Sequence, residues 1–258
     1  MEVKILQNNI EGYNKEKDKC KEELMDKLLE HTPQVLLLSE FCYAKHEENI
    51  IKRLEDIGYE IILPMSFEDK HKKIKNLDSV CMMAIKKEDF EFYKREREGI
   101  TLNLRYIEGT LHHKKSEKDI ELFFVYVPQT YLPGPEKLSL PESRKEYYNK
   151  IKYYQERAEY KAEMLFETFR FCQEKRDKLA FIGGDFNTAM NGSTSLEKIF
   201  ERIYKDCVDT DFDKDKPTWR DKRIDYALVS KDLEICNCRT THLSTISDHS
   251  ALVTTFEL

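Results

Sequence analysis

The sequence predicts an α/β fold in which two sheets pack face to face with helices outside. Three observations predict it. Strand-like apolar runs outnumber helical ones; they fall into two groups, each accompanied by helical segments; and no internal repeat, linker or low-complexity segment divides the 258 residues. The chain therefore reads as one domain over residues 1–258.

Val3–Ile10 opens as a strand ending in two amides, Asn8 and Asn9. Lys15–His31 carries Leu24, Met25, Leu28 and Leu29 at helical spacing. Val35–Phe41 is an apolar strand that stops on Glu40, an acid that is costly to bury unless paired or metal-bound and otherwise emerges into solvent. His46–Ile57 reads as a helix closed by Gly58, and Tyr59–Leu63 as a strand. After a polar, Lys-rich loop at Met65–Asn76, Ser79–Ile85, Phe90–Tyr93 and Ile100–Leu111 continue a meander. His112-His113 lies where that strand runs out. Adjacent strand side chains diverge, so the pair reads as an exposed turn, not a metal site.

Ile120–Gln129 is a buried strand ended by Pro128, with Tyr126 two residues before the exit and Gln129 just beyond. Four prolines between Pro128 and Pro141 exclude a helix there. Ser143–Glu174 is a long helix whose many tyrosines are read as packing against a sheet, with base stacking the alternative for Tyr131, Tyr147 and Tyr148. Leu179–Ile182 runs into Gly183-Gly184-Asp185-Phe186-Asn187; extended alternation places Asp185 and Asn187 on one side and Phe186 in the core. Ser195–Tyr204 reads as a helix. Asp206–Asp215 holds five acids but fails the calcium-loop pattern, with Lys214 and Arg220 where Gly and Glu are needed. Trp219, the only Trp, is read as a wall of the site in preference to a loop staple. Asp225 begins the strand Arg223–Ser230, and Ser247-Asp248-His249-Ser250 precedes the closing strand Ala251–Phe256.

A net charge of −6 argues against coating nucleic acid by charge alone, though acids at a metal site count in that sum. The basic clusters Lys70–Lys75, Lys94–Arg97 and Lys114-Lys115 read as solvated loops. Seven Cys without zinc spacing, no secretory leader and no apolar run of membrane length lead to the expectation of a reduced, cytoplasmic, monomeric protein.

The polar strand ends are acid, amide, phenol and imidazole, without Cys. Such oxygen-rich ligation suits magnesium or manganese, with substrate phosphate filling the remaining positions. Glu40 is the natural first ligand, Asp185 can accept a proton from an attacking water, and Asn187 can donate to a phosphoryl oxygen as charge grows there. His249 with Asp225 forms an acid–imidazole pair, cationic against the phosphate or neutral as a base.

The segments NNIEG, LLSEF, YVPQ, GGDFN, RIDYALVS and SDHSAL, in this order over nearly the whole chain, resemble those of the endonuclease/exonuclease/phosphatase (deoxyribonuclease-I-like) family. The resemblance implies a four-layer α/β sandwich of two mostly antiparallel sheets and metal-dependent cleavage of a phosphodiester, magnesium being usual. By it, Asn9 and Glu40 match the amide and metal-binding Glu, Asp248 a metal-side acid, and Asp185, Asn187, Asp225 and His249 the catalytic set. Tyr126 matches the active-site Tyr of the abasic-site-nuclease branch; Gln129, Trp219 and Tyr131 are substrate-binding candidates. The chain departs from the family at Asn8, where Trp or Thr is common, at Ser39, where Gln is common, and at Gln129, where that branch has Asn. The expected activity is a magnesium-dependent nuclease on DNA or RNA. The alternatives are a phosphoesterase on a small-molecule, lipid-headgroup or tyrosyl–nucleic-acid phosphodiester, or a non-catalytic binding module.

Overall fold

Strand β1 (Glu2–Asn9) splits its side chains between two layers: Val3 and Ile5 face one hydrophobic core, Leu6 another. The same division recurs in most of the strands that follow. The computed structural model describes residues 2–10, 18–42, 50–64, 80–98, 104–129, 144–188, 198, 201–203, 207–210, 216–230, 238–243 and 247–258. After β1 come α1 (Asp18–Glu30), β2 (Val35–Phe41), α2 (Lys52–Asp56), β3 (Tyr59–Ile62), β4 (Val80–Lys86), β5 (Phe90–Arg95), β6 (Tyr106–His113) and β7 (Lys118–Tyr126). Then follow α3 (Arg144–Glu174), β8 (Ala180–Asp185), β9 (Cys207–Asp209), β10 (Asp225–Ser230), β11 (Cys238–Leu243) and β12 (Ala251–Glu257).

Among the described residues two six-stranded sheets result, ordered β11-β12-β1-β2-β4-β3 and β5-β6-β7-β8-β10-β9. Val35, Leu37, Met83, Phe124, Phe181 and Val229, among others, fill the layer between them. Leu24, Met25 and Leu28 of α1 and Leu54 of α2 cover the outer face of the first sheet. Met164, Leu165 and Phe171 of α3 cover the outer face of the second. This is the expected four-layer sandwich. At about 1.5–3 kcal/mol for each large side chain withdrawn from water, these three apolar layers are the main favourable term of the fold.

The pairing is antiparallel except at two places: β1 lies parallel to β2, and β7 parallel to β8. Each exception sets two strand C-termini side by side, Asn9 opposite Ser39 and Tyr126 opposite Asp185. At that same edge β10 begins, with Asp225 opposite Asp185. The inward-facing positions then turn from apolar to polar along each strand: Val3 and Ile5 give way to Gln7 and Asn9, and Phe181 to Gly183 and Asp185.

Several local expectations are corrected. His112 and His113 belong to β6: His113 is fully buried against Phe90 with Nδ1 on Ser116, and His112 pairs with Asp119. Arg97 is not solvated. Its guanidinium is buried between Glu108 (2.5 Å), Glu167 (3.3 Å) and Glu174 (2.9 Å), tying α3 to the sheet beneath it. Part of the acidic stretch is the edge strand β9, where both Asp209 oxygens accept from Arg223 at 2.9 Å. Lys70–Lys75 and residues 130–141 of the proline segment lie outside the described residues.

Candidate active site

Glu40 reaches the site because β2 carries an irregularity. Leu36, Leu38 and Phe41 all face the outer core, and the pairing with β4 shifts between Leu38 and Phe41. An extra residue in one strand restores the alternation and re-aims a side chain. Glu40, with φ of 53°, takes the left-handed conformation uncommon for residues other than glycine. Its carboxylate meets Asn9, whose amide nitrogen donates to Glu40 Oε1 (3.2 Å) and to Asp185 Oδ2 (2.9 Å). One amide thus joins an acid of each sheet.

Asp185 is the last residue of β8 and is buried. Its Oδ1 accepts from the Asn187 backbone N–H (2.8 Å) and its Oδ2 from Asn187 Nδ2 (3.0 Å). Asn187 lies beyond the strand, so a left-handed turn at φ 48°, not strand alternation, brings it back toward Asp185. Its amide also donates to Val127 O (2.9 Å), and buried Lys161 of α3 caps its carbonyl (2.7 Å). Phe186 sits in the outer core as expected. Gly184 is required where β8 meets β7: at φ 140° its α-hydrogen faces Val125 O, and a Cβ would stand 1.8 Å from that oxygen.

His249 Nδ1 lies 2.9 Å from Asp225 Oδ2, and both residues are buried. Ligand atoms of Asp185, Asp225 and His249 all fall within 4.8 Å of one another. Burial pulls the His249 pKa down, but the charge and hydrogen bond of Asp225, with Asp185 and Asp248, outweigh it and carry it up to about 9. Asp185 is held well above the usual carboxylate range by burial, then by the Asp225 charge. The Tyr126 phenol is likewise raised by burial, next by the Glu40 carboxylate, so it is a neutral donor at neutral pH.

Asp248 sits at the rim. Trp219 Nε1 donates to its Oδ2 (2.8 Å), while its Oδ1 stands 4.0 Å from His249 Nε2. Trp219 is both wall and staple: its ring lies 6.2 Å from that of His249, and Arg220 covers it at 4.4 Å. Gln129 is half-buried just past the exit of β7, and Tyr131 lies outside the described residues. The structure thus links Asn9, Glu40, Tyr126, Asp185, Asn187, Asp225 and His249 in one cluster with Asp248 and Trp219 beside it.

Sequence reasoning missed four contributors. The Arg105 guanidinium lies 4.5 Å over the Tyr126 ring and acts electrostatically on Tyr126. Lys161 holds Asn187, Ser247 Oγ donates to Asn9 O (2.7 Å), and Gln7 Nε2 crosses between the sheets to Tyr226 O (2.9 Å). Arg105 belongs to no motif, and Lys161 is one Lys of many on a charged helix, so neither carried a signal. Ser247 stood beside a recognised pair and was readable.

The donor set fits a hard divalent cation. Carboxylates and amides converge without sulfur, and Asp185 carries a raised proton affinity that a neighbouring positive charge would relieve. Fold and site together define a hydrolase of phosphodiesters. The sequence profile of the Endonuclease/Exonuclease/phosphatase family matches residues 9–249, and the chain belongs to that family. No curated protein matches the sequence. Solved structures share the fold at low identity. A D. rerio TDP2 humanized by 14 mutations has a TM-score of 0.68 at 14% identity over 100% of this chain and 99% of that one. An AP endonuclease from Archaeoglobus fulgidus has 0.65 at 17% over 99% and 100%. D. rerio TDP2 complexed with single strand DNA product has 0.65 at 13% over 100% and 99%.

Proposed function

We propose that the chain is a magnesium-dependent nuclease that hydrolyses a phosphodiester of DNA or RNA by attack of water. The observation that carries this is the unbroken path from Glu40 through Asn9 and Asp185 to Asp225 and His249. Glu40 and Asn9, with Asp248 at the rim, would hold the cation, manganese being the other candidate. When bound, it supplies Lewis-acid stabilisation of charge on the phosphoryl oxygens. Asp185, with its raised proton affinity, orients the attacking water and takes its proton. Asn187 holds Asp185 in place, and would donate to a phosphoryl oxygen by exchanging its bond to Val127 O for one to the substrate. His249, cationic at neutral pH beside Asp225, donates to the same developing charge. Arg105, stacked on Tyr126, would offer its charge to the phosphate, and Gln129 and Trp219 would contact the flanking groups.

A second reading keeps the chemistry and changes the leaving group to a tyrosyl or small-molecule ester. The TDP2 similarity and the rim formed by half-buried Trp219 under exposed Arg220 favour it. Plasmid, single-stranded DNA, RNA, a tyrosyl-linked oligonucleotide and a chromogenic diester, each with and without magnesium, separate the two. The expected result is turnover abolished by a chelator and restored by magnesium or manganese. Asp185→Ala and His249→Ala should each lower kcat about 10²–10⁴-fold. Unchanged cleavage in either variant refutes the assignment, and turnover unaffected by a chelator refutes the metal.

A further inference from the structure

Thr218 lies seven residues before Asp225, the first residue of β10, and outside every segment that suggested the chemistry, yet every polar atom it has is used. Its Oγ1 accepts the backbone N–H groups of both Ile224 and Asp225, at 3.0 Å each. Its own N–H donates to Lys222 O (2.9 Å), and its carbonyl accepts the Ser250 N–H (2.7 Å). The residue is 1% exposed. One side of it therefore grips the residue that carries the Asp225 carboxylate; the other grips the residue that follows His249.

The turn that Thr218 opens extends the grip. Lys222 O accepts the N–H groups of both Thr218 and Trp219, and Lys222 returns a hydrogen bond to Trp219 O (2.8 Å). Trp219 then bridges to His249 along the backbone and to the Asp248 carboxylate through Nε1. On the far side, Ile224 O accepts the Phe186 N–H (2.8 Å), which fixes the chain between Asp185 and Asn187. Asp225 and His249 are 24 residues apart in sequence; Asp225 opens β10 of one sheet and His249 lies two residues before β12 of the other. Their 2.9 Å contact needs something that spans the gap, and Thr218 is bonded to both sides of it.

We propose that Thr218 is a positioning residue: its hydroxyl and carbonyl together set the separation and orientation of Asp225 and His249. The proposal rests on the hydrolase reading for its kinetic arm. A buried hydroxyl accepting two N–H groups cannot be replaced by a methyl without leaving both donors unpaired, so Thr218→Val removes the device at nearly constant volume.

The test uses the full chain as wild type, Thr218→Val, Thr218→Ala and Thr218→Ser. Hydrolysis of bis(p-nitrophenyl) phosphate with magnesium is followed beside the downfield proton resonance of His249 Nδ1–H, assigned by its loss in His249→Ala. Thr218→Val should lower kcat at least about tenfold with KM nearly unchanged, as a small displacement of oriented groups does. The His249 resonance should shift or broaden, and Thr218→Ser should restore both. Wild-type kcat and an unmoved resonance in Thr218→Val overturn the proposal, as does a Thr218→Ser variant no better than Val. If Val does not fold, Thr218→Ala takes its place in the same comparison; if neither folds, the hydroxyl is a requirement of the fold and the proposal is overturned. Should the wild type cleave no diester, the hydrolase reading fails and the resonance decides alone.

Discussion

At the scale of single residues, the pair Asp225–His249 dominates. Burial favours neutral imidazole, but a carboxylate at 2.9 Å overrides it and raises the pKa to about 9. The sign of the linkage follows. A histidine whose pKa is raised on folding contributes stability in full below its unfolded value, roughly 6.5, and loses it as pH climbs through about 9. Asp225→Asn should remove that window and bring the His249 pKa back toward or below its ordinary value of 6.5, since burial alone lowers it. Titration of the His249 ring by NMR, beside urea unfolding at pH 6 and pH 9, measures both effects; an unmoved pKa would show that the carboxylate is not its cause. Asp225 and His249 were readable because acid and imidazole are chemically distinctive. Arg105 was not, because nothing in the residues around it marks a guanidinium destined for a phenol ring 21 positions away.

At the scale of elements, the glycine pair of β8 allows a contrast. A Cβ at Gly184 would meet the Val125 backbone, which cannot yield, and φ 140° excludes a side chain in any case. A Cβ at Gly183 would meet Gln7 Oε1 at 2.2 Å and the Phe181 ring at 2.7 Å, both side-chain atoms. Gly184→Ala should therefore cost more than about 3 kcal/mol, and Gly183→Ala about 1–3 kcal/mol, by chemical denaturation. Equal losses would mean that the two sheets can shift to absorb either methyl. Most strands were legible from apolar runs, and the three polar ends from their motifs. Less so was how the chain turns at those ends. Glu40 depends on an extra residue in β2 and Asn187 on a left-handed turn, and neither has the glycine that would signal a positive φ. His113 was misjudged because its lysine neighbours suggested water, whereas β5 and Phe90 cover it.

For the whole molecule, charge is the constraint. At −6 the chain attracts a polyanion only where its cations gather, and Arg105, Lys161 and Arg220 are described ones beside the cluster. Binding of a single-stranded oligonucleotide should then weaken with salt at a slope of about −1 to −2 in log–log form, as for two or three phosphates. Fluorescence anisotropy from 50 mM to 300 mM salt tests this; a slope near −6 would require an extended basic track. Among the described residues no helix is long and apolar enough to cross a membrane. The four-layer order was foreseeable from the family resemblance, whereas the two parallel neighbours were not, since periodicity carries no direction.

Those two parallel neighbours have a further consequence. Asn9 and Glu40 leave one sheet while Tyr126 and Asp185 leave the other, so neither half of the sandwich owns the complete set of groups proposed to act. Competence is a property of the seam. Anything that wedges the halves apart, whether urea, pressure or an inhibitor lodged between them, silences the enzyme in the same cooperative event that unfastens it, and no separately produced half can retain a residue of turnover.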